Sequence, residues 1–451
     1  MNTSKVDPLP HQIEAVYHYV LRMPRIRFLL AHDPGAGKTI MAGLIIKEMK
    51  LRHLANRILI VVPGHLKDQW RRELKDKFEE TFVVADRGAT NSLYGQNFWT
   101  KENNIITSID FAKRDEILPS ISSVQFDLTI IDEAHKMAAY RYNEKISKTG
   151  RYKLGETLSS NTEHLLFLTA TPHKGDSENF RLFLDLLQPG FFATSEMLEE
   201  SIKLDENTLF LRRIKEDMKD FDGKPLFLPR HVLTPAYNLS DPERELYKKL
   251  TNYVRNQFNK ALSSEKKRNI GFALVILQRR LASSCFALWK SLIRRRDRLK
   301  EILENFEQQK KSTLKIFDFE ETEEMSEEDR WEQENIWETL SIAENKGELE
   351  KEIRTLDELI DDAKKVIDME VEVKLQKLKE TMKLLEQKSI NKKILIFTES
   401  KDTLGYLEKR IKKWGYNVNT IHGGMKLEER VEAEKIFKTE TQIMVATEAA
   451  G

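Results

Sequence analysis

A chain of 451 residues with 33% charged and 9% aromatic residues and a net charge of +1 has a globular composition, with length for roughly two or three domains. That balance excludes a disordered acidic tail and a wholly basic nucleic-acid coat, although a local basic channel can be offset by acidic surface elsewhere. The one cysteine, Cys285, excludes an internal disulfide, and the longest apolar runs, such as ILIVV at 58–62, are too short to span a bilayer.

The opening MNTSKVDPLPHQ lacks the apolar core of a secretion signal, so a reducing cytoplasm is the expected setting. Residues 9–190 then alternate short β-branched runs (RFLL, RILIVV, NIITS, DLTIID, LLFLTAT) with longer charged amphipathic stretches. Continuous apolar strands of this kind are buried on both faces, as in a parallel sheet flanked by helices, so the reading is α/β with βαβ units. Prolines cluster at Pro225, Pro229, Pro235 and Pro242 and are absent afterwards; between Asp241 and Ile390 only Gly271 and Gly347 could interrupt a helix. Apolar residues from Leu349 through Ile353, Leu356, Ile360, Ala363, Ile367, Val371, Leu375, Leu378 and Met382 to Leu385 form one stripe with a stutter near Ile367. That pattern predicts one long helix, or two nearly collinear ones, packing on its own domain. The acidic stretch DFEETEEMSEEDRWEQE (318–334) reads as a solvated loop or face, and strand texture returns with KILIFT and QIMVAT.

Two segments carry chemistry. In LLAHDPGAGKTIMAGLIIKEM (29–49), a strand end, a glycine turn and a helix follow one another. The strict loop pattern has glycine where this chain has His32, yet Asp33, Pro34, Gly35, Ala36 and Gly37 can still curl so that backbone N–H groups and a helix start face phosphate oxygens. Lys38 supplies a point charge for the β/γ-phosphates, and Thr39 offers a hydroxyl to Mg²⁺. In FDLTIIDEAH (126–135), Asp132 and Glu133 follow a buried strand. A carboxylate there can hold Mg²⁺ through water, and its neighbour can orient or deprotonate an attacking water. Cys285 reads as a small buried apolar residue with no zinc pattern around it.

Together these segments resemble superfamily 2 helicase-like ATPases. LPHQIEAV has Gln12 where those proteins place an adenine-reading glutamine, and FLTATP (167–172) matches their T-A-T coupling motif. ILIVVPGHLKDQW and IITSID resemble segments that contact a nucleic-acid backbone, while KILIFTES, IHGGMKLEER and IMVATEAAG resemble motifs of a second RecA-like lobe. FLRRIKEDM (210–218) is similar to the "LRRxKxD" block of Swi/Snf-type translocases. DPGAGKTIMAGL suits the bacterial and archaeal branch that includes RapA and the Swi/Snf-like subunit of DISARM phage defence.

The resemblance implies two RecA-like lobes separated by a long helical insertion: residues 1–235 as the first lobe, 236–374 as the helical insertion, and 375–451 as the start of the second. It implies ATP and Mg²⁺ as ligands, Lys38 and Glu133 as catalytic residues, Thr39 and Asp132 at the metal, and His135, Thr169 and Thr171 as coupling residues. Double-stranded DNA would be held by its phosphates, insensitive to sequence, through Pro63, Gly64, Lys67, Thr107, Ser108 and Thr447. The implied activity is ATP-driven movement on duplex DNA in a cytoplasmic, nucleoid-associated setting, with further protein partners in a larger complex and no membrane. An RNA or single-strand helicase and a nucleotide-switched scaffold are the alternatives; retention of Lys38 and Glu133 argues against the scaffold. The basic clusters QRR (278–280) and RRRDR (294–298) fit a solvated face or a DNA-facing one equally. The family's later Q-x-x-G-R-x-x-R segment does not occur before Gly451, so the expectation is an incomplete second lobe and slow hydrolysis by these residues alone.

Overall fold

The structure, a computed structural model, describes residues 5–91, 97–142, 145–170, 176–203, 208–261, 267–304, 327–338, 346–388 and 393–447. Contacts divide the chain into two units, Met1–Val232 and Leu233–Gly451.

In the first unit the apolar runs become β1 (Arg27–His32), β2 (Ile58–Val62), β3 (Val83–Ala85), β4 (Asn104–Ser108), β5 (Phe126–Ile131), β8 (Thr162–Thr169) and β9 (Phe210–Arg213). A small antiparallel hairpin, β6 (Ala139–Tyr142) and β7 (Lys145–Lys148), lies between β5 and β8 in the chain. The seven strands form one sheet in the order β3-β4-β2-β5-β8-β1-β9, every pairing parallel. Successive side chains leave a strand by opposite faces. Leu29 and Ala31 of β1 and Leu59 and Val61 of β2 enter one core, while Phe28, Leu30, Ile58, Ile60 and Val62 enter another. Two apolar faces are the reason these strands read as unbroken hydrophobic runs. Because the strands are parallel, the segments that follow β1, β2, β4, β5 and β8 all emerge at one end of the sheet.

The helix after β1, Lys38–Leu51, packs Met41, Ile45 and Met49 into the second core beside Trp70, Leu74 and Phe78 of the helix Lys67–Phe78. Their approach is close: a Cβ on Gly43 would stand 2.2 Å from Cε2 of Phe78. The strand β9 comes from the FLRR block, whose sequence was legible only as a resemblance; it closes the sheet beside β1 with Arg213 opposite His32.

The second unit begins with helices at Asp241–Ala261, Lys267–Ser283, Cys285–Glu304, Glu327–Glu338, Lys346–Asp368 and Val373–Lys388. The predicted stripe from Leu349 to Leu385 is divided, because the helix ends at Asp368 and Glu370 adopts a left-handed conformation (φ 53°). Leu349, Ile353, Leu356, Ile360 and Ala363 pack in a helical core with Leu288 and Leu292, whereas Leu375 and Met382 pack against the following α/β segment. The stutter near Ile367 therefore marks a change of core. Each basic cluster has one arginine buried against an acid: Arg280 pairs with Glu334 at 2.8 Å, and Arg295, fully buried, pairs with Glu352 at 2.8 Å and donates to Tyr253 Oη at 2.7 Å, while Arg279 is exposed and Arg294, Arg296 and Arg298 are half-buried. Glu334, at the end of the acidic stretch, is thus a buried partner; residues 318–326 lie outside the described ones. Cys285 is buried, as expected, and burial pushes its thiol up.

After these helices, β10 (Ile394–Phe397), β11 (Val418–Ile421) and β12 (Ile443–Ala446) form a parallel sheet in the order β10-β12-β11, with helices Lys401–Lys413 and Leu427–Thr439 between strands. Parallel sheets in both units agree with the expected α/β class with two RecA-like lobes. No described helix is long and apolar enough to cross a membrane.

Filling the contact at Gly43 tests the packing of the first unit. Gly43→Ala adds helix propensity of up to about 1 kcal/mol, but overpacking against Phe78 costs about 1–3 kcal/mol. The expected outcome is a lower urea midpoint for the variant, restored in part by Phe78→Leu in the same chain; an unchanged midpoint for Gly43→Ala would contradict the close approach.

Candidate nucleotide site

The loop between β1 and the helix Lys38–Leu51 is held by its own backbone and by the short helix Pro10–Ile13. Gln12 Nε2 donates to the Ala36 carbonyl at 3.0 Å, and His11 Nε2 lies 2.9 Å from the same oxygen. Gln12 Oε1 accepts from the Leu9 N–H at 3.0 Å, so the amide expected to read adenine is also a clamp on the loop, with its second N–H hydrogen unengaged among the described residues. Gly35 and Gly37 have φ of 84° and 83°, and a Cβ on Gly37 would stand 2.3 Å from Gln12 Nε2. Only glycine accepts both the left-handed backbone and that approach.

Lys38 opens the helix and donates from Nζ to the His32 carbonyl at 3.1 Å, which positions its ammonium along the concave side of the turn. The residue at position 32 therefore acts here through its carbonyl. Its ring is fully buried, and neither ring nitrogen has a hydrogen-bond partner among the described residues. Burial first, then the charges of His11, Lys38 and Arg213, push the imidazole down to about 3, so it is neutral. Asp33 turns the other way: its Oδ2 accepts from the Lys215 N–H at 3.2 Å and lies 3.8 Å from Arg230. Pro34 is exposed, Ala36 buried, and Thr39 half-buried in the first turn of the helix.

Two strands away, Asp132 and Glu133 follow β5. Asp132 is buried; its Oδ1 accepts from the Glu133 N–H at 2.9 Å and its Oδ2 from the Trp70 indole at 3.1 Å. Burial, followed by the charge of Glu133, pushes its carboxyl up to about 6. Glu133 has left-handed backbone (φ 49°, ψ 39°), which is strained for a side chain of this kind and concentrates at functional positions. Burial raises its carboxyl, but the His135 hydrogen bond and the charges of His135, Lys38 and Lys136 outweigh that and hold it below its ordinary value. His135 Nδ1 lies 3.2 Å from Glu133 Oε2 and 2.8 Å from Thr169 Oγ1, at the end of β8. Since β8 lies between β5 and β1, one continuous chain of contacts joins Glu133 to the strand beside the loop. Thr171 lies outside the described residues.

These residues fit a magnesium nucleotide. Among the described residues no cluster of three or more His, Cys, Asp or Glu could hold a metal by itself. One buried carboxylate and one hydroxyl are, however, the set from which Mg²⁺ is held when phosphates complete its shell. A cation beside Asp132 would offset the burial that now disfavours its charge.

The remaining predicted positions fall at the same end of the sheet or in the second unit. Pro63 and Gly64 follow β2, Lys67 starts the helix Lys67–Phe78, and Thr107 and Ser108 end β4, with Val62 opposite Ser108. Thr107 is buried and donates to the Ala85 carbonyl at 3.2 Å, while Ser108 Oγ accepts from the Phe111 N–H at 3.1 Å. Gly64 and Lys67 are the more accessible members of the group. Thr447, in the second unit, is buried after β12, and its N–H donates to the Ile421 carbonyl at 3.0 Å. Sequence reasoning missed His11 and Trp70. Both lie inside quoted motif segments, but nothing in the pattern says where a buried ring N–H points.

A phosphate-type loop after β1, a paired acid after β5 and a histidine–threonine contact to β8 define a helicase-like ATPase. The SNF2-related domain family matches residues 11–286 and the helicase conserved C-terminal domain matches 374–451; the chain belongs to the SNF2-related family. It is 28% identical over 455 residues to the uncharacterized ATP-dependent helicase YqhH of Bacillus subtilis, covering 98% of this chain and 67% of that protein. It is 36% identical over 188 residues to the RNA polymerase-associated protein RapA of Serratia proteamaculans, covering 41% of this chain and 19% of that protein. Among solved structures it is similar to the Sulfolobus solfataricus SWI2/SNF2 ATPase core in complex with dsDNA, at 18% identity and a TM-score of 0.42 over 99% of this chain and 79% of that one.

The neutral His32 has a consequence for acid stability. Its ordinary value of 6.5 applies to the unfolded chain and about 3 to the folded one, so the unfolded state binds the extra proton between those limits. The contribution is fully present above pH 6.5 and is lost as pH falls toward 3. At its steepest the loss is about 1.4 kcal/mol per pH unit. Urea denaturation of wild type and His32→Gln from pH 7 to pH 4 is expected to show the wild type losing stability faster; parallel curves would contradict it.

Proposed function

We propose that this chain carries the ATP-hydrolysing machinery of a double-stranded DNA translocase. Lys38 and the N–H groups of Gly35, Gly37 and Lys38 hold the phosphates, and Thr39 and Asp132 would hold Mg²⁺, which when bound would supply charge neutralisation at the phosphates. Glu133 orients the attacking water and takes its proton, kept ionised by His135. Gln12 fixes the loop and offers its remaining N–H to the base. The observation that carries the reading is the His135 Nδ1 contact at 2.8 Å to Thr169 Oγ1, because it ties the water-activating acid to the strand that leads into the T-A-T segment. A scaffold that only binds nucleotide has no use for that connection.

DNA as the track rests on membership of the SNF2-related family and on the exposed Gly64 and the half-buried Lys67 at the carboxyl end of the sheet. Contacts to phosphates through backbone groups and one lysine suit a track of any sequence. Because Thr107 is buried, that segment would act through its backbone. The RapA name adds a second reading of the setting, a partner in a larger protein complex.

Glu133→Gln separates the readings. Single-turnover ATP hydrolysis is expected to fall by about a hundredfold or more with ATP affinity retained, and displacement of a third strand from duplex DNA is expected to stop. Hydrolysis at the wild-type rate would refute the role of Glu133. Unwinding of forked RNA or single-strand substrates in preference to movement on duplex would favour the helicase alternative.

A further inference from the structure

The FLRRIKEDM block contributes more to the first unit than an edge strand. Pairing of β9 with β1 brings the Arg213 carbonyl to the Asp33 N–H at 3.2 Å, and the turn Lys215–Asp217 follows at once. The Lys215 N–H donates to Asp33 Oδ2 at 3.2 Å, which fixes the lysine backbone against the glycine loop. Its side chain then runs to Gly35: a Cβ there would stand 3.7 Å from Lys215 Nζ.

What surrounds that ammonium matters. The chain beyond the turn folds back, with Leu226 N–H on the Met218 carbonyl at 2.9 Å and Asp220 N–H on the Lys224 carbonyl at 2.9 Å. This places the Phe227 ring 5.1 Å from Lys215 Nζ. Nearby cations are already matched to acids, Arg213 to Glu14 at 2.8 Å and Arg230 to Asp33 and Glu216 at 3.8 and 3.9 Å. Lys215 has an aromatic face and, among the described residues, no carboxylate. A half-buried ammonium so placed is a cation without an anion, and the group that the neighbouring loop is shaped to receive is a polyphosphate.

We propose that Lys215 is a second phosphate-contacting lysine, reaching the di- or triphosphate of a nucleotide bound at the Gly35–Lys38 loop from the β9 side, opposite the helix that carries Lys38. The assignment rests on the reading of that loop as the ATP site. Phe227 holds the ammonium in reach before binding, so less side-chain freedom is lost when the phosphate arrives.

The test is calorimetric titration of the chain with ATP and with ADP in the presence of Mg²⁺, for wild type, Lys215→Ala, Lys215→Met and Lys215→Arg, with thermal melting of each protein without nucleotide. The methionine variant keeps the stem against Phe227 and removes only the charge. The expected result is about a tenfold or greater loss of affinity for both nucleotides in the alanine and methionine variants. Arginine is expected to stay within about threefold of wild type, with melting without nucleotide unchanged throughout. Wild-type affinity in Lys215→Met, or an arginine variant as weak as alanine, overturns the assignment; so does a loss of affinity that only follows a fall in melting temperature. A wild-type chain that binds neither nucleotide would instead overturn the ATP-site reading itself, before any variant is compared.

Discussion

The loop between β1 and the helix Lys38–Leu51 depends on a residue without a side chain. At Gly37 the backbone is left-handed, and Gln12 Nε2 occupies the place a Cβ would take, 2.3 Å from it. That approach lets the Gln12 amide reach the Ala36 carbonyl, which His11 also approaches, so the outward side of the loop is tied down by its carbonyl. The Ala36 N–H donates to the Asp33 carbonyl at 3.2 Å, and Lys38 Nζ is held by the His32 carbonyl at 3.1 Å. The loop is thereby set by contacts within the protein and does not wait for a ligand to organise it.

Strand order does the rest. With β8 between β1 and β5, the glycine loop and the acid pair emerge two strands apart, and Thr169 emerges between them. Trp70 fixes one oxygen of Asp132 from the helix whose first residue is Lys67, while His135 links Glu133 to Thr169. Three parts of the first unit therefore meet on two adjacent carboxylates: the segment after β2, the segment after β5 and the end of β8. A change at any one alters the surroundings of Asp132 or Glu133, which is the physical requirement for coupling nucleotide chemistry to a distant contact.

Much of this was legible in residues alone. Unbroken apolar runs announced a doubly covered parallel sheet, and glycine spacing before Lys38 announced a left-handed turn between a strand and a helix. What the sequence did not disclose has particular causes. The stripe from Leu349 to Leu385 has helical spacing throughout, yet it serves two cores, and only the turn at Glu370 shows where one ends. Arg280 and Arg295 belong to strongly basic clusters, but each has a buried acid far away in the chain, Glu334 and Glu352. Such pairing depends on tertiary contact, to which periodicity is blind. For the same reason Trp70 reads as a core aromatic, and only the fold shows its N–H on Asp132.

The central claim is that a loop built on Gly37 holds nucleotide phosphate. Equilibrium binding of Mg–ATP to Gly37→Ala, compared with wild type and checked by circular dichroism for an intact fold, addresses it most directly. A left-handed alanine costs about 1–2 kcal/mol and displaces the Gln12 amide as well, so the account predicts a loss of affinity of about tenfold or more in a folded protein. A folded Gly37→Ala chain that binds Mg–ATP as tightly as wild type would contradict it.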